Sequence, residues 1–340
     1  MTIKLLRFPI LIIIKILESM PSTDKVLFSF CSSKMSRLIR MVKWRVSIIQ
    51  YKSYKSHTYI FLGSPKFDHG GYFKFRDVDE FSENSKIFRE KTLGLQYGIF
   101  ASTVLGWAGA VVEVLKNSKY FSRLLFHNLI ADLFRNPPVI EYDVGSGFNL
   151  TNTYFYETMK NMCLSGIAAT PDYAEEYFSK AMDLQCAVVF PVIRPQLNTH
   201  SKLTTAKYLY FKNTFYQATT LPLHFNGHRA VFYRSIYNKR TIVEIMKRWN
   251  SNEGFQNLQT LEIFSSRNRN FNVDEIQREV NARPWDGLRR PENFGKEDRV
   301  MGVRFKPIEC ANFLDIVRES DGKVASFLVT EKMFKFCVWN

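Results

Sequence analysis

The sequence predicts an α/β chain, with a small all-α module at its N-terminus, a curved α/β layer behind it and an antiparallel β-hairpin at its end. Three observations predict this. Two short helical patterns divided by a proline open the chain, helix-then-strand units recur through its middle, and the turn dipeptide Asp321-Gly322 lies between two β-prone runs near its end. Units that alternate in this way favour a parallel layer over separate helical and β domains.

A chain of 340 residues, 46% apolar and 15% aromatic, is long enough for two domains with substantial cores and belongs among globular chains. Its net charge of +15 is unevenly spread. Residues 1 to 60 hold eleven Lys and Arg against Glu18 and Asp24, so +9 of the total lies there and the other 280 residues carry +6. A nucleic-acid partner would exploit clustered basic residues through counterion release, yet a solvated basic face explains the same cluster. Five cysteines (Cys31, Cys163, Cys186, Cys310 and Cys337) are scattered, odd in number and free of any C-x-x-C pair. This argues against a disulfide framework or a zinc ribbon and for a reducing, intracellular compartment. In such a compartment the sequon Asn149-Leu150-Thr151 is a chance match.

The first element is "FPILIIIKILESMPSTDKVLFSFCSSKMSRLIR", residues 8 to 40. A spanning helix needs ~20 apolar residues, and this run is cut by Lys15 and Glu18. A secretory signal needs a small-x-small cleavage site, and Lys-Ile-Leu-Glu-Ser-Met-Pro offers none. Two helices explain the stretch better. Pro9 suits a first helical turn, Ile13, Ile16, Leu17 and Met20 share one face, and Pro21 stops the run. Ser22, Thr23 and Asp24 provide N-cap oxygens for a second helix whose Leu27, Phe28, Cys31, Met35 and Leu38 share a face. Ile10, Leu11, Ile12 and Ile14 make the first helix apolar nearly all round, and such a helix needs cover on both sides. A partner protein is the simplest cover, and the rest of the chain is the other.

Residues 46 to 95 are rich in Lys, Ser and aromatics, with "TYIFLG" (58 to 63) as a first strand. Residues 99 to 135 read as helical in "VVEVLKN" and "SRLLFHNLIADLF", the second helix ending at Asn136-Pro137-Pro138. "VIEYDV" (139 to 144) alternates as a strand. "PDYAEEYFSKAMD" (171 to 183) begins with Pro and acids, a good helix start, and leads into "CAVVFPVI" (186 to 193), a buried strand. "TIVEIMKRWN" carries the stripe Ile242, Ile245, Met246 and Trp249; after Gly254, the residues Leu258, Leu261 and Ile263 fit the L-x-x-L-x-L core of a leucine-rich repeat. Asp321-Gly322 then marks a hairpin, and "KMFKFCVW" alternates Phe334, Phe336 and Val338 against Lys335, Cys337 and Trp339 as a third strand.

Signatures of catalysis and cofactors are sparse. His224 and His228 in "HFNGH" have ligand-like spacing but no third ligand beside them. "GSGFN" at Gly145 lacks a third glycine and reads as a turn. G-x-S-x-G, P-loop and H-E-x-x-H patterns do not occur. The chain is therefore expected to be no enzyme, with no cofactor, no metal and no small-molecule substrate. The charged stretch 274 to 299 is a solvated loop or a target-contacting one; Trp285, Arg289 and Arg290 are its candidate contact residues, because Trp and Arg are favoured interface anchors.

Phe8-Pro9, Ile16-Leu17, Met20, Asp24, Phe28 and Cys31-Ser32 together resemble the F-box motif, whose pattern runs Leu-Pro, six residues, Ile-Leu, Leu, Asp, Leu, Val-Cys. The tail "CSSKMSRLIR" is similar to F-boxes of the expanded nematode families. Leu11, Lys25 and Met35 depart from it, standing where many members have Glu, Leu and Trp. The C-terminal residues Trp249, Leu258, Leu261, Ile263, Asp315, Ile316, Arg318, Asp321, Gly322, Lys323, Ala325, Phe334, Phe336, Val338 and Trp339 resemble the type 2 F-box-associated domain of nematode F-box proteins. The resemblance implies an F-box over 5-45, a linker and connecting region of helix and strand over 46-135, and an F-box-associated α/β domain over 136-340, best matched over 240-340. The fold implied is a small all-α F-box followed by a curved, irregular leucine-rich-repeat-like α/β domain with a terminal hairpin. The function implied is substrate recruitment to an SCF-type cullin-RING ubiquitin ligase. A Skp-type adaptor would be contacted by Phe8, Pro9, Ile13, Ile16, Leu17, Met20, Leu27, Phe28 and Cys31, and an unknown target protein would be held by the C-terminal domain. The resemblance makes the adaptor acidic, which gives the basic N-terminus a steering role. Two rivals stay open: nucleic-acid binding through "KWRVSIIQYKSYK" (43 to 55), where aromatics interleave with basic residues, and a membrane-surface role for the first helix.

Overall fold

The computed structural model describes residues 5–44, 46–54, 57–63, 71–89, 96–104, 107–134, 139–150, 159–268 and 270–339. The chain forms two compact units, Met1–Tyr156 and Glu157–Asn340.

The first unit opens with three helices, α1 (Ile10–Ser19), α2 (Ser22–Ser29) and α3 (Ser33–Met41). Pro9 stands just outside α1, and its carbonyl accepts from the amides of Ile12 and Ile13 at 3.0 and 3.1 Å. Pro21 separates α1 from α2, as its missing N–H requires. The second helix expected from sequence is in fact two. Ser32 breaks it in extended conformation and its hydroxyl accepts from the Met35 amide at 3.1 Å, an N-cap. Ser22, Thr23 and Asp24, the expected caps, make no capping bond.

Behind the helices lie seven strands: β1 (Ile48–Ser53), β2 (Thr58–Gly63), β3 (Tyr72–Val78), β4 (Lys86–Arg89), β5 (Gln96–Val104), β6 (Trp107–Leu115) and, after helix α4 (Lys119–Ala131), β7 (Val139–Gly145). Their order is β7-β1-β2-β3-β6-β5-β4, with β1 parallel to β7, β3 parallel to β6 and the other pairs antiparallel. The described residues from 46 to 134 thus carry strands β1 to β6 and helix α4, where a linker and connecting region of helix and strand was expected. "VVEVL", expected to be helical, is the end of β6; its β-branched residues pair with β3 and β5, and tertiary pairing overrides a weak local signal. The end of the second helix expected at 136 to 138 lies outside the described residues, as does Thr151 of the sequon. One face of β1 and β2 is buried in strict alternation, and α4 packs on that sheet through Phe126, whose ring lies 5.2 Å from Phe73 and 5.0 Å from Phe75.

The second unit begins with β8 (Asn161–Ser165), the short β9 (Ala168–Ala169), helix α5 (Pro171–Ser179), β10 (Cys186–Val189), the short β11 (Val192–Ile193), β12 (Tyr208–Phe211) and β13 (Arg229–Ser235). Helix α6 (Lys239–Asn250), β14 (Thr260–Ser265) and α7 (Val273–Glu279) follow. Thr170 caps α5 and Asn238 caps α6 through side-chain oxygens. Strands β8, β10, β12, β13 and β14 run parallel to one another in that order, and α5, the 3-10 turns Lys202–Thr205 and Leu221–His224, α6 and α7 pack in succession against one another. Leu209, Phe211, Ala230, Phe232, Leu261 and Ile263 are buried, as are Ile242, Ile245, Met246 and Trp249 of α6.

The unit ends in β15 (Arg283–Pro284), β16 (Asn293–Phe294), β17 (Asp298–Val300), β18 (Val303–Phe305), β19 (Ile308–Glu309), β20 (Leu314–Val317), β21 (Val324–Val329) and β22 (Met333–Val338). β20, β21 and β22 form an antiparallel meander that joins the parallel run where β22 pairs with β14. Between β20 and β21 Gly322 takes φ +72°, which glycine adopts freely, and its amide donates to the Arg318 carbonyl at 2.8 Å.

Candidate functional site

Helix α1 has no acidic residue in its first turn and no basic residue in its last, and it is rich in isoleucine, yet only Ile13 and Leu17 are buried. They enter the helical bundle beside Val26, Met35, Leu38 and Ile39, and α3 packs on both α1 and α2. Ile13 and Leu17 are therefore corrected from adaptor-contacting to internal residues: at 3% and 0% exposure they have no surface to offer. The other face of the bundle is open. Phe8 is 44% exposed, Leu11 73%, Ile12 46%, Ile16 37% and Phe28 36%. Pro9 and Cys31 are exposed, and Met20 and Leu27 half-buried. Leu11, Ile12 and Ile10 were absent from the contact residues expected. On a wheel of 100° per residue Ile12 neighbours Ile16, which was the available signal.

The inner side of the bundle is occupied. Thr23 of α2 presses on Gly71, just before β3, where an added Cβ would stand 2.2 Å from the threonine methyl. Phe30 meets Phe126 of α4 at 5.5 Å, and Trp44 meets Phe134 at 4.7 Å. Lys25, one of the departures from the motif, is 5% exposed. Its ammonium donates to the Glu18 carbonyl at 3.3 Å, near the end of α1, and sits 5.5 Å from the Trp44 ring. A cation at a helix C-terminus and over an indole face is a favourable replacement for leucine. Met35, another departure from the motif, is buried.

The residues expected to contact a target behave differently. Arg290 is corrected from a surface contact to a buried structural cation. Its guanidinium lies between the rings of Trp285 and Trp339 at 4.8 and 5.2 Å and donates to Asp315 at 2.9 Å and the Cys310 carbonyl at 2.8 Å. Asp315 also accepts from Ser326 Oγ at 2.7 Å, and Ser326 from the Trp339 indole at 2.7 Å. Trp285 is half-buried over this cluster and Arg289 stays exposed, paired with Asp286 at 3.3 Å. Arg318 is buried too, bidentate on Asp321 at 2.9 and 2.7 Å and 4.9 Å from the Trp249 ring. That guanidinium draws the Asp321 carboxyl down to about 2. The conspicuous C-terminal motif residues thus tie the meander to α6.

His224 and His228 lie among cations. Burial lowers both, and Arg248 and His200 near His224, and Lys207 and Arg229 near His228, lower them further; such a cationic setting repels a metal ion. Gly145 closes a turn whose Phe148 amide donates back to it at 3.0 Å. Among the described residues no helix is long and apolar enough to cross a membrane, and no cluster of three metal-binding side chains occurs.

Residues 5–46 match the model of the F-box domain. The chain thus has an F-box domain at its N-terminus. An uncharacterized protein of Caenorhabditis elegans is 34% identical over 96 residues, 28% of this chain and 25% of the relative, so the chain matches about a quarter of that protein's length. No solved structure matches the chain.

Proposed function

We propose that this chain is a substrate-recruiting subunit of an SCF-type cullin-RING ubiquitin ligase, its F-box docking on a Skp-type adaptor and its second unit, an F-box-associated domain of irregular leucine-rich-repeat character, holding a target protein. The adaptor surface consists of Phe8, Ile12, Ile16 and Phe28, flanked by Pro9, Leu11, Met20, Leu27 and Cys31. The observation that carries the reading is the open apolar side of α1 in a bundle whose inner side is already packed. Each large apolar side chain moved from water into an interface is worth about 1.5–3 kcal/mol, so this side of the helix favours a protein partner. The chain makes and breaks no bond itself; it raises the effective concentration of target beside a charged conjugating enzyme.

The test is capture of a purified Skp-type adaptor by the intact chain and by an Ile12→Asp, Ile16→Asp variant. These positions are exposed, so the variant should melt like the parent yet lose the adaptor. Retention of the adaptor by the variant, or no capture by the intact chain, overturns the proposal.

A further inference from the structure

The face of β10–β14 turned away from α6 carries an unexplained aromatic row. Strand register sets Val188, Tyr210, Val231, Glu262 and Lys335 side by side on that face. Along one edge of this row Phe190, Tyr210, Tyr233 and Phe264 form a ladder with ring centroids 6.4, 5.4 and 4.5 Å apart, the last pair within 7° of parallel. Lys212 stands 5.2 Å from the Phe190 ring and Lys335 5.7 Å from the Phe264 ring. The hairpin of β17 and β18 borders the ladder: its Val300, Met301 and Val303, like Phe190, Tyr208 and Tyr210, pack against the buried cluster of Cys163, Cys186 and Val188.

All four ladder rings are only partly buried. The hydroxyls of Tyr210 and Tyr233 have no hydrogen-bond partner among the described residues, and burial raises both above the ordinary phenol range, so they remain protonated donors. The charged groups around them are mostly cations: Lys212, Arg234 and Lys332 are exposed, while the carboxylate of Glu262 is neutralised by Lys335 at 3.2 Å.

We propose that this ladder is where the target docks, and that the docking segment is an extended peptide rich in Asp and Glu. The inference rests on the recruiting function proposed above and names its substrate chemistry. Tyr233 and Phe264, stacked face to face, leave their edges outward, and aromatic edges carry partial positive charge. Edges, free phenol donors and lysines together favour carboxylates. The same arrangement disfavours bases, which stack on open ring faces; those of Tyr233 and Phe264 are turned to each other.

The test uses the full chain, with and without a purified adaptor, and labelled peptides about a dozen residues long, matched in apolar content and enriched in Asp/Glu, Ser/Gln or Lys/Arg, with fluorescence anisotropy as readout. Acidic peptides should bind at least about tenfold tighter than the other pools, and Lys212→Glu or Tyr233→Ser should remove most of that preference. Adaptor capture and melting should be unchanged in Lys212→Glu. Equal binding of the three pools, or an acidic preference that survives both variants, overturns the proposal; so does a single-stranded oligonucleotide that outcompetes the acidic peptides. Acidic preference without adaptor capture would sink the ligase reading and leave the ladder standing as a peptide site.

Discussion

Arg290 shows how a single residue can mislead when only its neighbours in sequence are visible. In a charged stretch between Trp285 and Asp298 it reads as a surface anchor, yet its guanidinium is buried among two indoles, a carboxylate and a carbonyl. Removing one partner of such a pair leaves a buried charge uncompensated, so Asp315→Ala should cost about 3–5 kcal/mol in denaturant unfolding. His127 is the second test at this scale. It is hydrogen-bonded through Nδ1 to the buried Tyr51 hydroxyl, and burial lowers its pKa from 6.5 to about 4. Between those values the unfolded chain binds a proton that the folded chain refuses, so stability should fall as pH drops from 6.5 to 4 and be unaffected above that window. The loss should reach a few kcal/mol, on the order of 3, at its full extent. Urea unfolding measured across this range should show the slope, and His127→Gln should flatten it.

The helices and strands were unevenly legible. Pro21, the α6 stripe and the strand at residues 139–145 could be placed from spacing because proline and periodicity act locally. The break at Ser32 could not, since one serine inside an apolar pattern looks like a solvent-facing residue until its cap bond is seen. If that cap sets the start of α3, Ser32→Ala should lower bundle stability by about 1 kcal/mol, read as a lower urea midpoint. "VVEVL" was misassigned for a related reason: four apolar residues around Glu113 fit either period, and the partner strands that settle the matter are distant in sequence.

For the whole molecule, charge and topology are the governing quantities. Most of the +15 lies in the first 60 residues, in and beside the helices that carry the exposed apolar surface. Association with an acidic adaptor should therefore slow as ionic strength rises, with dissociation changing less; stopped-flow at 50 and 500 mM salt would measure both rates, about one Debye length of ~10 Å at 0.1 M being the relevant scale. Rates indifferent to salt would leave the basic excess as a solvated face.

Residue order by itself determined that an apolar, Pro-bounded helical module opens this chain, that helix and strand alternate from residue 171 to 265, and that a turn at Asp321-Gly322 precedes the last strands; each depends on contacts within a few residues. Only the tertiary structure decided which isoleucines of α1 remain exposed, that residues 48–53 pair with the strand legible at 58–63, and that Phe190, Tyr210, Tyr233 and Phe264 stand in one row. Successive members of that row lie 20 to 31 positions apart, and it is strand register, set by hydrogen bonds between distant segments, that brings them together.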